Sequence, residues 1–378
     1  MTAQPTPATA RADRVRVMIV DDSAVVRGMV SRWLDARADI VVVAMAVDGV
    51  QALKKLEEHE IDVCVLDIEM PNMSGLEALP KLLALRPRLK IIMASTLSER
   101  GAEITLRALS LGATDFIPKP STSRIGGAEA YQRDLIEKIV QLGRRSAPAI
   151  DRPIKSYLKP PTALPSVAPV SPAARSGPRP GRKVRLDALV IAASTGGPPA
   201  LREVISGLGS HWRGPILIAQ HMPQGFTRAL AQMIGRVTPM SVKEGEHGEK
   251  VTDGVIYIAP GGLHMIVERG RDGTPTIQLN QGPEVHWCRP AADPLFISAA
   301  EVWGGAAAGM VLTGMGHDGR DGARALADCG APVMVQDEAS SVVWGMPGSV
   351  IQAGVPAEIH PLSALAPQFL QWTRVGTA

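Results

Sequence analysis

The chain has 378 residues, 45% of them hydrophobic and 20% charged, which excludes a disordered protein and is too long for a single core of ordinary size. An aromatic share of 3% leaves little for nucleic-acid stacking platforms, and a formal charge of +3 says little about a polyanionic partner. The three cysteines, Cys64, Cys288 and Cys329, lack CxxC spacing and support neither a disulfide framework nor a zinc site, so a cytoplasmic, reducing setting is expected.

Residues 1–13 carry no apolar core of a signal peptide and read as a flexible tail, and no run is apolar enough to span a bilayer. From Val15 onward short apolar runs alternate with helical periods. Strands are predicted at Val15–Val20, Ile40–Ala46, Val63–Leu66, Ile91–Ala94 and Thr114–Ile117. Helices are predicted near Ala24–Asp35, Val50–Glu58, Leu76–Leu85, Glu99–Leu111 and Ala130–Leu142. Five βα units over residues 14–142 predict α/β architecture: a doubly wound, five-stranded parallel sheet of flavodoxin type.

Residues 143–183 lose this periodicity. The 39 residues from Arg145 to Lys183 hold nine prolines, eight Lys or Arg and one acid, Asp151, and read as a Pro-rich, basic linker. A second alternation fills residues 184–375. Its strands are expected at Leu189–Ala193, Ile216–Gln220, Val255–Ala259, Met310–Thr313 and Val333–Gln336. Its helices start at Pro198 and Phe226 and lie near Ala291–Trp303 and Ala323–Cys329, with a hairpin around Met265–Glu268 and Thr276–Leu279. The expectation is a second α/β unit, mostly parallel, with an antiparallel hairpin.

Strand ends carry the chemistry. Asp21-Asp22 ends the first strand, Asp67 the third, Ser95 the fourth and Lys119 the fifth, so a doubly wound sheet converges them on one crevice. Three carboxylates together repel unless a cation neutralises them, and an all-oxygen set suits Mg²⁺. Metal and lysine would clamp a phosphoryl group transferred to Asp67, with the Ser95 hydroxyl adding a hydrogen bond.

In the second unit Ser194 follows an apolar strand within Ala192-Ala193-Ser194-Thr195-Gly196, close to a nucleophile elbow, although a phosphate loop or plain strand-helix connection has the same look. A serine nucleophile needs a base, and His221, directly after the strand Ile216–Gln220, is best placed. Asp318, in a glycine-rich loop from Gly314 to Gly319, is the candidate orienting carboxylate. His317 is a competing base. Cys288 with His286 mimics a thiol–imidazole pair but reads as a buried structural cysteine. His264 and Asp293 remain open as rim, packing or capping residues.

Residues 14–140 resemble the receiver domain of bacterial response regulators through Val20-Asp21-Asp22-Ser23, Leu66-Asp67-Ile68-Glu69-Met70-Pro71, Asn72-Met73-Ser74-Gly75, Ser95 and Pro118-Lys119-Pro120. That resemblance implies phosphorylation of Asp67 by a histidine kinase, Mg²⁺ held by Asp21, Asp22 and Asp67, and Phe116 at an aromatic switch position.

The second unit resembles the catalytic domain of CheB-type protein-glutamate methylesterases. The residues that carry the likeness are Ala193–Gly197, Gln220-His221-Met222-Pro223, Tyr257–Gly261, Arg289-Pro290 with Asp293, and Thr313–Gly316 with Asp318-Gly319. It implies hydrolysis of glutamate γ-methyl esters on membrane-anchored chemotaxis receptors, glutamine deamidation, a Ser194, His221, Asp318 triad needing no cofactor, and an oxyanion donor near Met315. Two rivals stand beside it: a binding-only output unit, which would need a DNA-reading helix not visible after the linker, and a nucleotide enzyme, which would need a Gly-Lys-Ser/Thr loop.

Overall fold

The computed structural model describes residues 14–119, 127–143 and 185–374; the N-terminal tail, Pro120, residues 144–183 of the expected linker and residue 375 lie outside the described residues. Strands β1 (Val15–Val20), β2 (Ile40–Ala46), β3 (Val63–Asp67), β4 (Lys90–Ser95) and β5 (Asp115–Pro118) form one sheet in the order β2-β1-β3-β4-β5. Every pairing is parallel. All five residues of β3 are buried, as a strand covered on both faces requires.

The covering helices are α1 (Ala24–Asp35), α2 (Gly49–Glu58), α3 (Gly75–Leu85), α4 (Glu99–Ser110) and α5 (Gly127–Gly143). Side-chain caps fix where the first four begin. Ser23, Asp48 and Ser98 each accept a backbone N–H of the first turn, and Ser74 with Glu77 forms a capping box. Gly75 opens α3 against β3 so closely that a Cβ there would stand 1.9 Å from the Asp67 carbonyl oxygen, so the helix start and the strand end are fitted together.

The second sheet has seven strands in the order β14-β13-β12-β6-β7-β9-β8. They are β6 (Ala188–Ala193), β7 (Ile216–Gln220), β8 (Ser241–Glu244), β9 (Val255–Ile258), β12 (Ala307–Val311), β13 (Val333–Gln336) and β14 (Glu358–His360), all parallel. The antiparallel hairpin, β10 (His264–Arg269) with β11 (Pro275–Asn280), forms a separate two-stranded sheet. Helices α6 (Gly197–Leu208), α7 (Phe226–Gly235), α8 (Ala292–Trp303), α9 (Arg320–Asp328), α10 (Gly345–Gln352) and α11 (Leu362–Arg374) complete this unit.

Central β6 lies between β7 and β12, so whatever follows these three strands meets at one sheet edge. The α/β classes expected from the sequence are both present. The strand predicted at Met310–Thr313 begins earlier, at Ala307, because the small residues Ala307, Ala308 and Gly309 pair with Ala188–Val190 in the buried centre of the sheet.

Candidate active site and phosphoacceptor crevice

At the carboxyl edge of the first sheet, Asp21 and Asp67 are buried and Asp22 is exposed, with one oxygen of each within 4.8 Å of the others. Lys119 Nζ lies 2.9 Å from Asp21 Oδ2 and 2.8 Å from Asp67 Oδ1. Burial pushes the Asp67 carboxyl above its ordinary range, and the neighbouring Asp21 adds to this, while Lys119 and the Ile68 N–H pull it back only in part. This carboxylate therefore still lacks positive charge, and three converging carboxylates form the hard oxygen donor set that Mg²⁺ takes. A cavity of about 240 Å³ opens here, lined by Asp22, Asp67, Ser95, Thr96 and Lys119 among others. Ser95 is buried at its wall and donates to the Gly101 carbonyl at 3.2 Å.

Phe116 does not turn toward this crevice. Its ring stacks on Phe226 of α7, with centroids 4.8 Å apart and planes 7° from parallel.

At the second sheet, Ala193 is paired with Gln220, so Ser194 and His221 are the next residues of adjacent strands, and the His221 N–H donates to the Ala193 carbonyl at 3.0 Å. His221 Nε2 and Asp318 Oδ2 are 2.6 Å apart. Asp318 is buried and accepts the N–H groups of Ala292, Asp293 and Gly319 at 2.6, 2.9 and 2.9 Å. Burial raises its pKa, but His221 and these N–H groups outweigh burial and hold the carboxyl below its ordinary value.

Ser194 is half-buried in a turn that only glycine can line. Its carbonyl accepts from Gln220 Nε2 at 3.0 Å and its N–H donates to Thr313 O at 3.0 Å. A Cβ on Gly197 would stand 2.0 Å from Gln220 Oε1, and one on Gly314 would stand 2.7 Å from Ser194 Cβ. The N–H groups of Thr195 and Met315 donate no hydrogen bond among the described residues.

The structure thus joins His221 to Asp318 and sets Ser194 on the neighbouring strand end, but Ser194 Oγ has no hydrogen bond to the imidazole. His221 Nδ1 instead faces Cys288 Sγ at 3.3 Å. Cys288 is therefore a site neighbour and not the buried structural cysteine expected from sequence. No local signal marks it, because the contact spans 67 positions.

The other candidates sort by their partners. His286 Nε2 bonds Asp293 Oδ2 at 3.0 Å, and Asp293 in turn accepts the Gly322 N–H at 2.7 Å, tying α8 to α9. His317 is exposed and packs edge-on against His286, away from Asp318. His264 is buried and bonds backbone only, at Pro283 O and Ala291 N.

The first unit covers this edge. Thr195 Oγ1 donates to Asp115 Oδ2 of β5 at 2.8 Å, and the same carboxylate pairs with Lys138 of α5. The Arg133 guanidinium sits 4.9 Å above the Trp287 ring, and Met315, Val342 and Val343 join the apolar cluster under α1 and α5.

A phosphoacceptor-type crevice on one sheet, packed over a strand-end serine and an imidazole–carboxylate pair on another, defines a class: a response regulator whose output unit is an α/β enzyme. Residues 17–125 match the model of the response regulator receiver domain and residues 189–369 that of CheB methylesterase. A protein-glutamate methylesterase/protein-glutamine glutaminase 2 of Caulobacter vibrioides is 57% identical over 93% of this chain and 97% of its own. Enzymes of the same name from Maricaulis maris (44%, over 96% of each chain) and from Rhodopseudomonas palustris (45%, over 98% of this chain and 97% of its own, encoded in a group 2 operon) are similar along the whole length. The chain belongs to this CheB family of receiver-linked protein-glutamate methylesterases.

Proposed function

We propose that this protein hydrolyses glutamate γ-methyl esters on chemotaxis receptors, releasing methanol, also deamidates receptor glutamines, and is activated when a histidine kinase phosphorylates Asp67. In this reading Ser194 Oγ attacks the ester carbonyl while His221 takes its proton. Asp318 holds the imidazole and stabilises the imidazolium, and the Met315 N–H, with that of Thr195, receives the oxyanion. His221 then returns the proton to the departing methanol, and water cleaves the acyl-enzyme by the same route.

In the receiver, Asp21, Asp22 and Asp67 would hold Mg²⁺, which when bound offsets phosphoryl charge. Lys119 and Ser95 would orient the phosphoryl oxygens, and Phe116 would change its packing in response. The proposed organisation is a tail (1–13), a receiver (14–142), a linker (143–183) and a catalytic unit (184–375), acting from the cytoplasm on receptors anchored in the membrane. No helix among the described residues is long and apolar enough to cross one.

The observation that carries the reading is the 2.6 Å contact of His221 with Asp318 beside Ser194, under a docked receiver. The test is methanol release from methyl-esterified receptor membranes with and without acetyl phosphate. Ser194→Ala is expected to fold normally and lose roughly three or more orders of magnitude in rate. Near-parental turnover would remove the serine mechanism.

A further inference from the structure

Val285 and Cys288 close a tight turn through reciprocal backbone bonds of 3.1 and 2.9 Å. The two residues between them, His286 (φ 52°) and Trp287 (φ 62°), lie in the left-handed region that side chains rarely adopt. Such a backbone persists where its surroundings hold it. Three contacts hold this one: His286 on Asp293, Trp287 under Arg133 of the receiver, and Cys288 Sγ on His221 Nδ1 at 3.3 Å.

The last contact bears on the chemistry. His221 Nε2 is committed to Asp318, so Nδ1 is the ring position left to take a proton from a serine hydroxyl, and a neutral ring has one lone pair there. Held by Cys288, whether the sulfur donates to that lone pair or accepts a proton from the ring, Nδ1 has nothing left for the Ser194 hydroxyl.

We propose that Cys288 restrains the catalytic base: in the receiver-docked chain its sulfur holds His221 Nδ1, and turnover requires that contact to pass to Ser194 Oγ. The proposal rests on Ser194, His221 and Asp318 acting as proposed above.

The charged groups around the imidazole agree with this. Asp318 faces Nε2 and Cys288 faces Nδ1, Asp293 is engaged by His286 and Gly322, and from the receiver Lys138 is paired with Asp115 and Asp134. Burial alone would disfavour a charged ring, but Cys288 and Asp318 overcome it and push His221 up to about 10. A protonated ring cannot accept the serine proton. Undocking the receiver would withdraw Arg133 from Trp287 and loosen the hold of the turn on the sulfur.

The experiment compares the full-length parent with Cys288→Ala, Cys288→Ser and Ser194→Ala by methanol release from methyl-esterified receptor membranes across a pH series, before and after acetyl phosphate with Mg²⁺. Cys288→Ala is expected to raise the unphosphorylated rate roughly three- to tenfold and to move the acid limb of the profile down by about one pH unit. Cys288→Ser keeps a donor to Nδ1 that does not ionise, so its limb should move likewise with a smaller gain in rate. Phosphorylation should narrow the gap between the parent and Cys288→Ala.

A Cys288→Ala rate at or below the parent's with an unmoved limb, while Ser194→Ala is inactive, overturns the proposal and leaves the serine mechanism standing. An active Ser194→Ala overturns both. Should Cys288→Ala lose its circular-dichroism fold, Cys288→Ser decides, and an unmoved limb in that variant is the overturning result.

Discussion

Half-buried His221 and buried Asp318 form a pair whose two pKa values are displaced in opposite directions, His221 upward to about 10 and Asp318 downward. The sign of the linkage follows. A histidine raised above 6.5 on folding contributes stability that is fully present below 6.5 and is lost as pH rises through about 10. His221→Gln should therefore melt well below the parent at pH 6, and the gap should shrink steadily toward pH 10; a gap independent of pH would deny the pair its charge. Ser194 and His221 were legible in the sequence because each directly follows an apolar strand, and parallel pairing aligns strand ends. Asp318 was legible through the glycines around it. Cys288 was not, because its approach to His221 depends on two left-handed residues and on Asp293, which no local pattern encodes.

At the scale of elements, β5 joins the two halves. Phe116 on this strand stacks on Phe226 of α7, and Asp115 accepts from Thr195, the residue after Ser194. A stacked aromatic pair contributes about 0.5–1.5 kcal/mol beyond its buried area. Removing it with Phe226→Ala should weaken docking and raise unphosphorylated activity by up to roughly tenfold, since 1.4 kcal/mol of bias between docked and open forms suffices. Methanol release at equal protein concentration measures this, and an unchanged basal rate would mean that the stack does not restrain the enzyme. The elements absent from the sequence reading share a cause. Strand β8 has four residues at a sheet edge, β14 has three, α10 contains Pro347 and Gly348, and α11 contains Pro367. Local propensity argues against each, and packing decides: buried Met346 and Val350 hold α10, and buried Leu365 and Phe369 hold α11.

For the molecule as a whole, regulation is a question of whether the charge state of one sheet's crevice is felt at the other sheet's edge. Asp67→Asn keeps the side chain's volume but removes the acceptor oxygen, so basal turnover should persist while acetyl phosphate with Mg²⁺ ceases to raise it. A variant that still responds would place the acceptor elsewhere. The separation of roles is visible in the structure: Lys119 meets Asp21 and Asp67, whereas Asp115 and Phe116, four and three residues earlier, meet the catalytic unit.

That spacing limits how such a protein can be rebuilt from parts. A foreign receiver grafted onto this enzyme could accept phosphate perfectly well and still leave the output deaf to it, unless the donor strand brought an acid for Thr195, a ring for Phe226 and a lysine for the crevice in one short run. Part of the compatibility between the halves is thus written into that strand and the lysine after it, and exchange of modules among regulators must keep this run with the half it addresses.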